Sequence, residues 1–488
     1  MNLGHLIRSG VKWTMASRIA GHFIHFIFGV ALARILVPAD FGLLVTVQIF
    51  TGVAGFFASG GMAQALVRAK KVTPRHFQVV FTLQLMVGTA IYGLFFVSAP
   101  WIATWFHHPI YVDLLRVSAL SFIIRPFLRI PVARLQRDMR YKPIAIANAI
   151  AMIVTGVSSV AMALMGLQVW ALVFGGFIGT AVSIFMVMAV TRWLPGIRFD
   201  LDCAKDVAGF GYKISLLNFV EYLRTQTANF IISRTLGAST VGLYNKADSL
   251  AVMPRSTIVG TVNKVMFRAL ARAQDDPNLM KYLYFRTISL VNVYTGFFCI
   301  LLWWLAEPLI LIIYGEKWVP AAAPLEILVL TSLFVTGGVT SQILAVQNRL
   351  GVDIRIGLEV WTLTALGCVV GLQWGLIGAA WGVFAAALYG NVRSAKVGIK
   401  SVGGRLPDVL HALRPSLVLN GMVFAAFFLG DALAFADLRI SNPALYVSGM
   451  TVVGGATYAA CFLYLPIQAL ATEAQRWKKW LRLSRVAS

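Results

Sequence analysis

The chain is a succession of long apolar stretches separated by short polar ones, and few folds can accommodate such a pattern. A helix needs roughly 20 apolar residues to cross the hydrocarbon core of a bilayer, and about fourteen stretches reach that length. Only 12% of the 488 residues are charged, which is too few for a water-soluble protein of this size. The sequence therefore predicts an all-α polytopic membrane protein. The predicted spans are 11–36, 41–66, 77–104, 111–134, 144–166, 168–192, 212–236, 241–267, 285–313, 321–348, 354–373, 375–393, 412–434 and 444–465.

The basic residues predict how these spans are oriented. The chain has 42 Lys and Arg residues against 19 Asp and Glu, and the basic ones concentrate in alternate loops. Loops on the cytoplasmic side of a membrane collect lysine and arginine, so this alternation supports an even number of spans with both termini in the cytoplasm. In a soluble protein the same charge excess would indicate nucleic-acid binding, but here it lies between apolar runs and indicates topology. No nucleic-acid partner is expected.

Two parts of the sequence repeat each other at a spacing of 200 residues. ARILVPADFGLL at 33–44 aligns with SRTLGASTVGLY at 233–244, which pairs Gly42 with Gly242. One repeat holds six spans, so the copies are parallel and related by an axis along the membrane normal. The predicted domains are a six-helix lobe over 1–193, a connector with a short interfacial helix over 194–211, a second lobe over 212–400, two additional spans over 401–466, and a basic amphipathic cytoplasmic tail over 467–488.

Several ionisable residues fall inside the predicted spans, where a charge is costly and usually faces the protein interior or a wet cavity. Positive residues outnumber acidic ones, which predicts a cationic chamber for an anionic group such as a phosphate. For any single residue the alternative is snorkelling or local pairing, as for Glu221 with Arg224. Pro254 is expected to break the helix beside Arg255. The predicted substrate-binding residues are Arg18, Arg125, Arg129, Arg224, Arg255 and Lys264.

A smaller set of residues is predicted to couple transport to an ion. His22 and His25 have side chains that can relay protons near neutral pH, although such histidines more often pack and hydrogen-bond without a role in transport. Glu221 and Asp248 are the acidic candidates for binding a coupling cation.

Sequence signals for catalysis and for bound cofactors are absent. The chain has no GxxxxGK[ST] phosphate loop, no GxSxG nucleophile elbow and no HExxH motif, and its four cysteines form no CxxC pair. Asp200 and Asp202 have the spacing of a DxD metal motif, but no nucleotide-binding domain surrounds them, so they are interpreted as a helix N-cap. We therefore expect a transporter with no catalytic residue, no metal site and no cofactor.

Three longer stretches resemble a known family. They are GVALARILVPADFGLLVTVQIFTGVAGFFASGGMAQALVRAKKVT at 29–73, ANFIISRTLGASTVGLYNKADSLAVMP at 228–254 and YGEKWVPAAAPLEILVL at 314–330. They look like stretches of polysaccharide exporters of the colanic-acid exporter type, over about residues 10–400. The resemblance implies membership of the superfamily of multidrug exporters, O-antigen flippases and the lipid II flippase.

That resemblance implies a fold and a function. The fold would be two six-helix lobes in a V around a central cavity, with a final pair of helices like the pair that offers a groove for the lipid tail in related flippases. The function would be flipping of undecaprenyl-diphosphate-linked oligosaccharides across the bacterial inner membrane by alternating access. Arg18, Arg224 and Arg255 match the position of substrate contacts. We expect a monomer in the bilayer, associated with the polymerase and chain-length regulator of exopolysaccharide or O-antigen assembly.

Three alternatives remain open at this stage. A cation-coupled multidrug exporter of the same fold would favour acidic cavity residues for its cationic drugs, whereas the predicted chamber is basic. A membrane polymerase usually carries a large periplasmic loop with catalytic groups, and the outward loops of this sequence are short. A scaffold of a polysaccharide synthase complex would use the repeat for packing alone.

Overall fold

The computed structural model describes residues 3–59, 62–68, 72–467 and 470–480, without the side chains of 3–12, 14–19, 59, 68, 201–218, 220, 263–265, 434, 436 and 480. All regular secondary structure in the described residues is helical. By its internal contacts the chain divides into two compact units, Met1–Gly242 and Leu243–Ser488. The predicted seventh span therefore lies in the first unit. The domain boundaries drawn from the sequence stay predictions.

The described part of the first unit contains eight helices and the first part of a ninth. The ninth helix, α9, has a non-helical residue at Gly237, where φ is 82° and ψ is 178°. This left-handed region suits a glycine, and it is where the predicted seventh span ends. The helices are α1 Leu3–Ile35, α2 Pro38–Ser59, α3 Met62–Arg68, α4 Pro74–Trp105, α5 Tyr111–Ala119, α6 Ser121–Arg137, α7 Tyr141–Leu164, α8 Val169–Thr191 and α9 Leu201–Arg272.

In its described residues, the second unit contains the rest of α9 and ten further helices. Short 3-10 turns at Glu316–Ala321, Leu330–Ser332 and Leu372–Trp374 and a π-helical turn at Asp431–Phe435 separate some of these helices. The turn at Leu330–Ser332 divides the predicted span 321–348 into two pieces. The helices are α10 Pro277–Trp304, α11 Ala306–Tyr314, α12 Ala322–Val329, α13 Gly337–Val346, α14 Leu350–Gly371, α15 Gly375–Ser401, α16 Leu406–Gly430, α17 Ala436–Ser441, α18 Pro443–Tyr464 and α19 Ala471–Trp480.

Apolarity separates the predicted spans into two groups. Nine segments of the described residues are long and apolar enough to cross a membrane, and one of them, 350–401, holds both α14 and α15. Within the same described residues, the predicted spans that do not reach this criterion are the first, fourth, seventh and eighth. Those four spans hold all ten candidate site residues. The described part of the first span is the shorter apolar helix Ala20–Ile35.

The predicted connector 194–211 has a different structure from the one expected. Residues 193–200 are not helical, and the helix that begins at Leu201 continues into the predicted seventh span instead of forming a separate short helix. The extended segment is held by the backbone N–H of Arg198, which donates to Thr82 Oγ1 at 2.9 Å, and by a 2.5 Å ion pair between Asp200 and Arg75.

Small residues let neighbouring helices pack closely in both units. A Cβ on Gly175 of α8 would overlap Ser159 of α7, and a Cβ on Gly371 of α14 would overlap the carbonyl group of Gly378 of α15. In a bilayer, helices do not associate by excluding water, so close backbone approach at small residues provides much of the packing energy. Each hairpin is thereby fixed as a rigid pair of helices.

The predicted amphipathic tail contains a helix in its described part. α19 spans Ala471–Trp480, and Glu473 accepts from the Arg286 guanidinium of α10 at 3.2 Å. The ammonium group of Lys478 lies 4.8 Å from the centre of the Tyr464 ring. The tail helix is thus docked on the second unit at one side, and residues 481–488 lie outside the described residues.

The predicted tenth span, 321–348, is a broken helix. The chain leaves the helical conformation between Ser332 and Gly337, which exposes backbone groups that hydrocarbon cannot satisfy. The fully buried side chain of Asn292 replaces the missing partners, because its Oδ1 accepts from the N–H of Val335 at 2.8 Å and its Nδ2 donates to the Val335 carbonyl at 3.0 Å. On the other side, Thr336 Oγ1 donates to the carbonyl of Asn391 at 2.6 Å. Side-chain hydrogen bonds from neighbouring helices therefore stabilise the break.

Replacing Asn292 with alanine is expected to destabilise the protein by about 2 kcal/mol. Two buried backbone groups of Val335 would lose their partners, and each costs about 1–3 kcal/mol when left unsatisfied. Thermal unfolding in vesicles measures the effect. Asn278→Ala is the control, because its exposed side chain should change stability by no more than about 0.5 kcal/mol. Equal unfolding temperatures for the two variants would contradict this account of the break.

Candidate functional site

Arg125 on α6 is the candidate residue with the most informative surroundings. Its side chain is half-buried inside the first unit. Its Nη1 lies against Gly55 of α2, where an added Cβ would be only 2.8 Å from it. Its Cζ is 5.0 Å from the centre of the Phe122 ring. Among the described residues no carboxylate pairs with it, and its charged neighbour is another arginine, Arg129. A guanidinium held in this way retains its attraction for an anion.

Arg129 extends the basic surface by one helical turn. It is exposed, whereas Arg125 is half-buried, and the four-residue spacing places both on one face of α6. In the described part of the first unit no acid offsets this pair. Two like charges on one face repel each other, so the arrangement is costly unless an anion binds there.

Tyr222 on α9 is a neighbour that the sequence analysis missed. Its hydroxyl donates to the carbonyl of Gln48 at 2.7 Å, and its ring makes an edge contact with Phe56 at 5.3 Å. A Cβ on Gly52 would overlap this hydroxyl. Gly52 and Gly55 are three residues apart on α2, so one glycine-lined face receives both Tyr222 and Arg125. The spacing of these glycines is the sequence signal that could have indicated a close approach.

Arg224 has a different environment from Arg125. Its Nη2 and Nε contact the two carboxylate oxygens of Glu221 at 2.6 and 3.0 Å, in the bidentate geometry that suits a guanidinium. Both side chains are partly exposed. The local pairing considered as an alternative from the sequence is therefore present at this residue, and Glu221 offsets much of its charge.

The candidates on α1 share one helical face. Arg18, His22 and His25 follow the spacing i, i+4 and i+7. His22 and His25 are exposed. The packing face of α1 contacts α7, and Phe28 of α1 occupies the space that a Cβ on Gly156 of α7 would take. The side chain of Arg18 lies outside the described residues.

In the second unit, the structure brings Asp248 and Arg255 together. They are seven residues apart on α9, and each lies within electrostatic reach of the other. α9 stays helical through Pro254, because in its described residues the one non-helical position is Gly237, so the expected break beside Arg255 is wrong. A proline ring costs one hydrogen bond and bends a helix without always ending it, particularly where neighbouring helices support it. The side chain of Lys264 lies outside the described residues.

The ten candidates thus separate into sets with different charge. Arg125 and Arg129 form a basic pair without an acidic partner among the described residues, whereas Arg224 and Arg255 each have a carboxylate nearby. No group of three or more His, Cys, Asp or Glu side chains in the described part of the chain is arranged to hold a metal ion. The pair on α6 is the arrangement best suited to attract an anionic ligand.

The sequence is similar to those of proteins named for polysaccharide biosynthesis. Residues 31–323, more than half of the 488, match the family described as polysaccharide biosynthesis protein. The chain is 22% identical over 408 residues to the lipopolysaccharide biosynthesis protein WzxC of Escherichia coli, covering 83% of each chain. It is 25% identical over 331 residues to the succinoglycan biosynthesis transport protein ExoT of Rhizobium meliloti, covering 68% of this chain and 67% of that one.

The fold also has a counterpart among solved structures. The lipid II flippase MurJ in its inward closed conformation superposes with a TM-score of 0.72 at 14% identity, over 97% of this chain and 99% of that one. At this identity the likeness concerns the fold. The fold class predicted from the sequence, a polytopic helical protein of the lipid II flippase type, is confirmed.

Proposed function

We propose that this chain, which belongs to the polysaccharide biosynthesis protein family, flips undecaprenyl-diphosphate-linked oligosaccharide repeat units across the bacterial inner membrane for exopolysaccharide or O-antigen assembly. The observation that carries the proposal is the half-buried guanidinium of Arg125, which lies in a predicted span with no carboxylate partner among the described residues. Such a charge is costly in a membrane, and an anion that passes through would offset the cost. The diphosphate of a lipid-linked sugar is an anion of this kind.

Three further facts support the proposal. WzxC is named for lipopolysaccharide biosynthesis, ExoT for succinoglycan biosynthesis and transport, and MurJ as a lipid II flippase. This chain would then need a path for a large polar head group attached to a lipid. The α6 arginines would hold the diphosphate, while the sugars remain in the polar part of the cavity and the prenyl chain stays in lipid.

The finer parts of the proposal concern placement and mechanism. Both termini would lie in the cytoplasm, and transport would proceed by alternating access without any covalent step catalysed by the chain. Arg18, Arg224, Arg255 and Lys264 would contact the substrate at other stages of transport. The polymerase and the chain-length regulator would receive the flipped product on the far side of the membrane.

The alternative of a cation-coupled drug exporter predicts a different charge. A drug cation would be repelled by Arg125 and Arg129 and would need acidic partners on the same surface. The basic pair therefore favours an anionic substrate over a cationic one.

Deletion of the gene followed by complementation tests the proposed function. The deletion strain should lose surface polymer and accumulate lipid-linked repeat units in the inner leaflet, because synthesis continues while transport stops. A plasmid copy should restore both, and resistance to cationic drugs should not change. Normal surface polymer in the deletion strain would refute the proposal, and drug sensitivity without loss of polymer would favour the drug exporter.

A further inference from the structure

Tyr222 of α9 places a hydroxyl group beside the half-buried guanidinium of Arg125 on α6. The hydroxyl occupies the space that a Cβ on Gly52 of α2 would take, and Arg125 Nη1 would be 2.8 Å from a Cβ on Gly55. Residues three apart on a helix hold their Cβ atoms about 6 Å apart, so the two donor groups lie within about 10 Å of each other. A diphosphate can span this distance, with a hydrogen bond of about 2.8 Å at each end.

The guanidinium of Arg125 has unused hydrogen-bonding capacity. An arginine side chain carries several N–H donors in a planar fork, and a phosphate group can accept from two of them at once. In the described part of the chain, no acceptor takes a hydrogen bond from Arg125, and its contact there is with the Phe122 ring. An anion that binds to Arg125 therefore displaces no partner among the described residues.

The hydroxyl of Tyr222 has a partner that it can exchange. It donates to the carbonyl of Gln48 at 2.7 Å. Within α2 this carbonyl also accepts from the backbone N–H of Gly52, four residues further along the helix, so it stays satisfied when the hydroxyl turns away. Tyr222 is partly exposed, which allows a ligand to reach the hydroxyl.

The surroundings of Tyr222 keep its ring in place and do not repel an anion. The ring makes an edge contact with Phe56 at 5.3 Å, so the O–H bond can rotate while the ring stays where it is. The residue before it, Glu221, points about 100° away around the helix axis. The carboxylate of Glu221 is also paired with the guanidinium of Arg224, which offsets its charge.

We propose that Tyr222 is a second binding residue for the diphosphate, and that its hydroxyl turns from the Gln48 carbonyl to a phosphate oxygen when substrate binds at Arg125. The inference rests on the proposed function, because it takes the diphosphate to bind at Arg125. The exchange removes a hydrogen bond that joins α9 to α2. Substrate binding is thereby coupled to a loosening of the contact between these two helices.

Equilibrium binding of farnesyl diphosphate to the full-length protein in vesicles tests this assignment, with farnesol as the probe that lacks phosphate. Tyr222→Phe retains the ring and should weaken binding of farnesyl diphosphate about tenfold, without changing that of farnesol. The loss is this small because the hydroxyl already has a hydrogen bond to Gln48 in the empty protein. Tyr92→Phe is the matched control, because it removes a hydroxyl from α4 of the same unit outside the candidate site, and it should bind as the native protein does.

A double variant makes the assignment specific to one phosphate site. Once Arg125→Ala has removed the main contact, adding Tyr222→Phe should cost less affinity than it does alone. If Tyr222→Phe does not fold, Gly52→Ala should give the same tenfold loss, since its methyl group displaces the hydroxyl.

Two results would overturn the role of Tyr222 and leave the proposed function standing. One is additive losses in the double variant, and the other is native affinity for farnesyl diphosphate in Tyr222→Phe while Arg125→Ala binds weakly. A native protein that binds farnesyl diphosphate no better than farnesol would instead overturn the proposed function, and this inference with it.

Discussion

Replacing Arg125 with alanine is expected to reduce polymer export about a hundredfold in the complemented deletion strain. The guanidinium of Arg125 is half-buried on α6. In the complex with substrate, removing one partner of a buried, hydrogen-bonded charge pair typically costs about 2–5 kcal/mol. A loss of about 2.7 kcal/mol corresponds to a factor of about a hundred. Surface polymer per cell and the pool of lipid-linked repeat units are the two measurements, and they should change in opposite directions.

Controls for this prediction come from the same unit. Arg116 lies 4.1 Å from the Phe96 ring and donates to the Phe96 carbonyl, so Arg116→Ala removes a similar aromatic contact outside the candidate site. It should leave export unchanged. Arg125→Lys retains the charge but loses the planar fork, so an intermediate loss is expected. Full export by Arg125→Ala, at a normal protein level in the membrane, would rule out the proposed role.

Stability separates a transport role from a structural one for Arg125. A half-buried charge without a carboxylate partner among the described residues is unfavourable for folding. Arg125→Ala should therefore unfold at the same temperature as the native protein or at a higher one. A variant that loses export and also unfolds at a lower temperature would indicate that Arg125 stabilises the packing of the protein and does not bind substrate.

The sequence predicts the spans well because hydropathy acts locally along the chain. The segment 141–164 and its successor 169–191 lie within a few residues of their predicted bounds, since their ends are set by apolar length. The predictions fail where tertiary contacts replace local rules. The break at 333–336 exists because Asn292 satisfies Val335 from another helix, and no pattern within 321–348 reveals that partner.

The sequence likewise predicts only part of the candidate site. Hydropathy predicts that Arg125 lies within a span. Hydropathy does not predict that Arg125 has no carboxylate partner among the described residues. The pairing of Arg224 with Glu221 could be considered from their spacing in the sequence, whereas the contact of Arg125 with Gly55 could not. Tyr222 could not be assigned to this site, because its neighbours Gln48 and Arg125 are distant in sequence.

Substituting Gly42 with alanine is expected to lower the stability of the protein by about 3 kcal/mol or more. A Cβ at Gly42 would overlap the carbonyl oxygen of Ala238, and a Cβ at Gly242 would overlap that of Pro38. Inserting atoms where side chains can adjust costs about 1–3 kcal/mol, and here the obstacle is backbone. Thermal unfolding in vesicles and the yield of folded protein would both fall. Gly93→Ala is the matched control, because nothing lies near its Cβ position and alanine favours a helix by about 1 kcal/mol.

The contacts of Gly42 and Gly242 are reciprocal, and this reciprocity leads to a further prediction. Pro38 and Ala238 are 200 residues apart, as are Gly42 and Gly242, so each segment contacts the other through the same positions. A local two-fold axis that relates residues 38–42 to residues 238–242 would produce this pattern. One added methyl group would already separate the backbones, so the second should cost less. The double variant of Gly42 and Gly242 should therefore lose clearly less stability than the sum of the single variants. Additive losses, or a Gly42→Ala protein as stable as Gly93→Ala, would show that the two segments do not meet in this way.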